Sequence, residues 1–158
     1  MILGRLNATG PERVFISVKN TYQTATLTPG QWVAYDIATD KDGVSVTKPV
    51  GASRVAIAGV MIDSVAHTLN GLCQIWGYTD NARCLGGSGS LTSKITAGQP
   101  LKFATSGFGA QAFARNSAAL KSGHGKFACG IGIEPTNTAA IDTQAGTSGA
   151  YKVLVRCM

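Results

Sequence analysis

The chain has 158 residues, of which 44% are hydrophobic and 14% are charged, and its formal net charge is +6. A single domain of this length buries roughly 70% of its unfolded surface, and apolar residues that recur along the whole chain exclude an intrinsically disordered protein. No apolar run is long enough to form a membrane-spanning helix, so we expect no membrane partner.

The positive charge is concentrated in the second half. Residues 1–82 carry six basic and six acidic side chains, whereas residues 83–158 carry eight basic and two acidic ones. Such an imbalance could face nucleic acid or an acidic protein surface, but charges that are scattered in this way are more typical of an ordinary solvated face. The candidate basic surface consists of Arg83, Lys94, Lys102, Arg115, Lys121 and Lys126.

The four cysteines lack the close spacing of a metal or redox motif. They are Cys73, Cys84, Cys129 and Cys157. The apolar stretch within Met1 to Arg5 is too short for a signal peptide, so we expect reduced thiols. Three of the cysteines fall in strand-like runs, where a buried thiol acts as a small hydrophobic side chain.

Three strands are predicted before residue 50. Residues 13–19 place Val14, Ile16 and Val18 opposite a mostly polar side, which indicates a first strand. Residues 31–37 carry apolar side chains on both sides and predict the next strand. The sequence Lys41-Asp42-Gly43 predicts a hairpin turn into a third strand at residues 44–47, and Pro49 ends that strand.

A central pair of strands follows. Residues 55–62 contain no charge and many β-branched side chains, which favours a strand buried on both faces over a helix. Asp63 ends this run, Asn70-Gly71 predicts a tight turn, and residues 72–78 predict the returning strand.

The second half repeats the pattern of the first. Residues 27–35 and 95–103 both read apolar-Thr-x-Gly-Gln-x-apolar-x-aromatic, and Gly59–Asp63 resembles Gly130–Glu134. The glycine of each Thr-x-Gly-Gln motif is expected to adopt a positive φ in a tight turn. Two related β-units in tandem explain this repetition, and their offset grows only in loops.

The predicted fold is therefore all-β, a compact β-barrel or two-sheet sandwich of about ten short strands. We divide the single domain into an N-terminal arm (1–12), a first β-unit (13–83), a glycine- and serine-rich joint (84–91) and a second β-unit (92–158). Residues 110–113 are assigned to a strand by the repeat, although the alanine-rich stretch to Lys121 also fits a short helix.

No set of residues predicts an enzyme, a cofactor or a metal site. His67 and His124 do not have the spacing of a metal-binding motif. Zinc needs three or four converging ligands, and the sequence shows no such set around either histidine. Asp63 and Glu134 end equivalent strands, where a carboxylate most simply accepts backbone hydrogen bonds. The glycine-rich residues 86–90 lack the lysine and serine or threonine of a phosphate-binding loop.

Four aromatic residues leave a second function open. Trp32, Tyr35, Trp76 and Tyr78 alternate with apolar residues, so core packing explains most of them. On a basic β-barrel the same rings also fit a module that binds single-stranded nucleic acid or glycan. We do not expect a nucleic-acid partner, because the aromatic runs of known sheet binders are absent.

Two elements of the chain carry a resemblance to a known family. One is Thr28 to Val33, repeated as Thr96 to Leu101; the other is Ala58 to Asp63 followed by a glycine-closed turn and a strand, repeated from Cys129. This layout resembles the head decoration, or capsid cement, proteins of tailed bacteriophages, over much of residues 13–157. The duplication departs from that family, in which many members carry one copy.

The resemblance implies a structural virion protein that binds the outside of a phage capsid and stabilises the shell. It implies the major capsid protein as a partner and a homo-oligomer, with a trimer favoured and a dimer as the alternative. The chain would be made in the bacterial host cytoplasm and end at the capsid surface. The candidate capsid-binding arm contains Ile2, Leu3, Arg5 and Leu6, since a terminal segment orders when it is tied to a partner.

Overall fold

A computed structural model describes residues 12–39, 43–50, 56–84, 95–103, 107–112, 129–133 and 149–157. These residues form nine β-strands and no helix, so the predicted all-β class is confirmed. The strands are β1 Val14–Asn20, β2 Trp32–Tyr35, β3 Ser45–Thr47, β4 Ile57–Met61, β5 Asn70–Cys84, β6 Pro100–Phe103, β7 Ala110–Ala112, β8 Gly130–Gly132 and β9 Gly149–Arg156.

The strands of the first half are paired in a circuit. β1 runs parallel to β3, and the remaining pairs β3–β2, β2–β4, β4–β5 and β5–β1 are antiparallel. The pairing therefore returns to the strand at which it began. We call this set of five strands the first circuit.

The second half forms a circuit with the same order and the same strand directions. The distal part of β5 runs parallel to β7, and the pairs β7–β6, β6–β8, β8–β9 and β9–β5 are antiparallel. The distal part of β5 thus takes the place that β1 has in the first circuit. All nine strands belong to one mixed sheet. Each parallel contact spans at most two residue pairs, so neither circuit is a clearly closed barrel.

The two Thr-x-Gly-Gln turns have the same geometry. Gly30 and Gly98 have φ angles of 82° and 77°, as the sequence predicts. In both turns the glutamine side chain accepts the backbone N–H of the threonine, Thr28 to Gln31 at 2.8 Å and Thr96 to Gln99 at 2.9 Å. The predicted repeat is therefore a repeat of hydrogen bonds as well as of residues.

The turn between β4 and β5 is not where the sequence places it. Asn70 and Gly71 lie inside β5, and the chain reverses at residues 66–69, where Thr68 has a φ of 69° and Leu69 N–H donates to Ala66 O at 3.1 Å. Gly71 is needed for packing instead, because a methyl group there would overlap the side chain of Val65. The predicted tight turn at Asn70-Gly71 is therefore wrong, and the glycine is explained by its packing against Val65.

β5 is also longer than the predicted strand at residues 72–78. It continues to Cys84 because residues 76–84 pair with β9. A register shift between Thr79 and Ala82 accommodates the exposed Asp80 and Asn81. The strand at β7 confirms the choice of strand over helix for residues 110–112.

Each circuit contains a cluster of buried apolar residues. The first cluster is Val18, Leu27, Val33, Val46, Ala58, Met61, Val65 and Cys73. The second is Trp32, Val60, Ala82, Cys84, Ile95, Leu101, Ala110, Ala112, Cys129, Val153 and Val155.

The two halves exchange aromatic side chains. Trp32 belongs to β2 of the first circuit but is fully buried in the second cluster, while Phe108 of the second half packs against the first. The backbone N–H of Trp32 donates to Phe108 O at 3.0 Å, where the two segments cross. This exchange interlocks the halves.

The two motif glycines differ in their surroundings, which gives a matched test. A methyl group at Gly30 would overlap the carbonyl oxygen of Asn81, whereas none of the described residues lies within 4 Å of such a group at Gly98. We expect Gly98→Ala to lower the free energy of unfolding by about 1–2 kcal/mol, from the left-handed backbone alone. Gly30→Ala should cost about 2–5 kcal/mol, because overpacking is added. Urea unfolding of both variants measures the difference, and equal losses would contradict the close approach to Asn81.

Candidate functional site

The predicted capsid-binding arm and most of the predicted basic surface lie outside the described residues. This applies to Ile2, Leu3, Arg5, Leu6, Lys94, Arg115, Lys121 and Lys126. Residues 85–94, with most of the predicted joint, are also outside them, as are His124 and Glu134. These assignments stay predictions.

Arg83 is described, and its polar groups link the two circuits. Its guanidinium donates to Thr28 Oγ1 at 2.9 Å, its backbone N–H donates to Gly30 O at 2.9 Å, and its carbonyl oxygen accepts Trp32 Nε1–H at 3.0 Å. Arg83 thus fastens the first Thr-x-Gly-Gln turn to the distal part of β5. Lys102, the other described member of the predicted basic surface, is half-buried on β6 opposite Gln111.

Asp63 has the role expected from its place at a strand end. Its Oδ2 accepts the backbone N–H of Leu72 at 2.9 Å. His67 lies in the turn before β5, and its Nδ1 is buried without a hydrogen-bond partner among the described residues. Within the described ranges no three side chains of histidine, cysteine, aspartate or glutamate come together as a metal site.

All four cysteines are free thiols, and three of them are fully buried. Burial raises the pKa of both Cys84 and Cys157 to about 12. It also raises the pKa of Cys73 and Cys129, and the nearby Cys157 adds to both shifts. These thiols therefore stay protonated at neutral pH, as expected of small hydrophobic side chains.

The four aromatic residues singled out in the sequence separate into two groups. Trp32 is fully buried, and Tyr35 packs against the first cluster. Trp76 and Tyr78 are half-buried and belong to neither cluster. Core packing therefore explains Trp32 and Tyr35 but not the other two rings.

Trp76 and Tyr78 lie on the outer side of the sheet formed by β1, β5 and β9. Trp76 is paired with Val14 on one side and with the exposed Arg156 on the other, and Tyr78 is paired with Leu154. Directly paired residues of antiparallel strands project to the same side. We call the surface formed by Arg13, Trp76, Tyr78, Lys152 and Arg156 the aromatic–basic face.

Buried groups hold the backbone beneath this face. The fully buried Gln74 donates through Nε2 to the carbonyl oxygens of Trp76 and Tyr78, at 3.1 and 3.0 Å. Gly77, with a φ of 98°, lets the chain of Glu12 and Arg13 approach so closely that a side chain at position 77 would overlap it. Arg13 then lies over the ring of Tyr78, with its Cζ 5.8 Å from the ring centre.

Sequence reasoning did not find the aromatic–basic face. The sequence indicates only that Trp76 and Tyr78 share one side of their strand, and that Leu154 and Arg156 share one side of theirs, because each pair is two residues apart. What brings them together is the pairing of β1 and β9 with β5, which places Trp76 beside Val14 and Arg156.

Comparison with known proteins places the chain in no group, because no family model, curated protein or solved structure matches it. No helix in the described part of the chain is long and apolar enough to cross a membrane.

The buried thiols should make the free energy of unfolding decrease at alkaline pH. A thiol whose pKa is raised from 9.0 to about 12 on folding, as for Cys84, stabilises the protein fully below pH 9, and this contribution is lost as the pH rises toward 12. Each such thiol should reduce the free energy of unfolding by about 1 kcal/mol between pH 9 and pH 10. Urea unfolding at both pH values should therefore show a smaller decrease for Cys84→Ala than for the wild type. Equal decreases in the two proteins would contradict the raised pKa of Cys84 in the folded state. At pH 7 the thiol is protonated in both states, so unfolding at that pH measures only the destabilisation caused by the cavity.

Proposed function

We propose that this chain is a structural virion protein that binds the outside of a phage capsid and stabilises the shell. The observation that carries the proposal is the repeated unit. The segments that resemble decoration proteins, a Thr-x-Gly start and a buried strand followed by a turn, occupy equivalent places in the two circuits. The duplication itself departs from that family, so the proposal rests on the recurrence of both segments at equivalent places and not on the number of copies.

The buried polar side chains of the molecule support a structural role. The buried polar side chains Asn20, Gln31, Gln74 and Gln99 donate to or accept from the backbone. These hydrogen bonds fix turns and strand ends, so they serve the scaffold. The exchange of Trp32 and Phe108 joins the two cores, and a rigid scaffold loses little conformational entropy when it binds.

Binding of such a chain stabilises a shell by mass action. A protein that binds the assembled lattice and not its separated subunits shifts the equilibrium toward the assembled state. The formal charge of +6 would speed encounter with an acidic capsid surface. The major capsid protein is the partner in this proposal, with self-association as a trimer or dimer on the lattice.

The first test is the number of copies in the particle. Mass spectrometry of purified virions of the phage that encodes the chain should find hundreds of copies, in a fixed ratio to the capsid subunit, because a lattice protein occupies every equivalent joint. A handful of copies would place the chain at the portal or tail. Its absence from the particle would end the proposal.

The second test concerns the N-terminal arm. Deletion of residues 1–9 should abolish binding to shells from which the chain has been removed, because the arm would add a strand or an apolar anchor to the capsid subunit. The circular dichroism spectrum should not change. If the shortened chain binds as well as the full chain, the arm has no part in docking.

A further inference from the structure

We propose that the aromatic–basic face is a docking surface for an acidic protein surface. This inference rests on the proposed function, under which the acidic surface belongs to the capsid subunit. It names the residues that make the contact and does not depend on the N-terminal arm.

The side chains of this face are those that dominate protein interfaces. Tryptophan, tyrosine and arginine are enriched among the residues that carry most of the binding free energy. Here Trp76 lies between Val14 and Arg156, and Tyr78 lies beside Leu154, which is paired in turn with Ile131. Two large rings are therefore set among aliphatic side chains, with cations beside them.

Neither ring belongs to a buried apolar cluster, and each is only partly covered by the rest of the fold. Val153 and Val155 of β9 belong to the second cluster, whereas Leu154 and Arg156 alternate with them and project to the other side. Trp76 and Tyr78 are paired with this outer set and lie outside both clusters. A partner surface would complete their burial.

The face is also held in place before any partner arrives. Gln74 is fully buried beneath it and fixes the carbonyl groups of Trp76 and Tyr78. The positive φ of Gly77 brings Arg13 over Tyr78. Side chains that are already ordered lose less entropy on binding, so this arrangement favours affinity.

The charge of the face selects an acidic partner. Arg13, Lys152 and Arg156 are exposed, and the exposed acidic residues on the same strands or next to them are Glu12 and Asp80. Because these cations outnumber the two carboxylates, a symmetric contact with the same face of a second copy would leave an excess of positive charge, which disfavours a dimer through this surface. An acidic protein surface would pair with Arg13 and Arg156 and cover the rings.

The first circuit supplies a matched control. On its outer side Ser17 is paired with Leu72, and Lys19 with Asn70. Leu72 is 44% exposed and Lys19 is exposed, so this surface offers an exposed apolar and an exposed cationic side chain, with only the half-buried Phe15 as a ring on the same side of β1. Leu72→Ala removes exposed apolar area, as Trp76→Ala does, and Lys19→Glu reverses an exposed charge, as Arg156→Glu does.

The experiment measures rebinding of the full chain to virion shells from which it has been removed. We expect Trp76→Ala to weaken rebinding by about 30-fold, as for a residue at the centre of an interface. Arg156→Glu, at an exposed position where the fold is not at risk, should slow association and reduce its salt dependence. Leu72→Ala and Lys19→Glu should each stay within about threefold of the wild type. Circular dichroism and thermal unfolding check that each variant is folded.

The outcomes separate this inference from the function on which it rests. If the wild type rebinds and both Trp76→Ala and Arg156→Glu rebind equally well, the docking surface is wrong and the function stands. If the wild type does not rebind to stripped shells, both are overturned. A parallel titration with a single-stranded thymidine oligonucleotide tests the other class of partner. Tight, salt-dependent binding that Trp76→Ala removes would assign the face to nucleic acid and overturn the proposal.

Discussion

The architecture depends on the hydrogen bonds that Trp32 makes where the two circuits cross. Its backbone N–H donates to Phe108 O and its indole N–H donates to Arg83 O, both at 3.0 Å. Both acceptors belong to the second circuit, while the residue itself is part of β2. The loss of either hydrogen bond would cost about 0.5–1.5 kcal/mol, in addition to the lost packing of the fully buried Trp32. One residue, through its backbone and its side chain, thus connects the two apolar clusters.

The same crossing explains why two related halves are not equivalent. The residue that begins β6, in the place of Trp32, is Pro100, which has no backbone N–H to donate. In the first turn Gly30 is pressed against Asn81 and its oxygen accepts from Arg83, whereas Gly98 is exposed. The first turn therefore serves the interior of the molecule, and the second remains at its surface. Repetition of a sequence pattern has given two turns of one geometry with two structural roles.

β5 also determines where the aromatic–basic face lies. Its first part completes the first circuit, its distal part opens the second, and the change occurs around Gln74 to Tyr78. There the backbone leaves the regular pleat, with a positive φ at Gly77, and Trp76 and Tyr78 turn away from both cores. The irregularity that lets one strand belong to two circuits is thus the origin of the aromatic–basic face.

Local sequence determined the strand class, the buried thiols, the strand-end role of Asp63 and the paired turns at Gly30 and Gly98. Each of these depends on the periodicity of a short segment or on the backbone freedom of one residue, which is visible without the rest of the fold. The tertiary structure alone decided that Gly71 serves close packing, that β5 continues to Cys84, and that Trp76 meets Arg156. These features depend on pairing between distant strands, whose register no local pattern specifies because it is set by the burial of both partners at once.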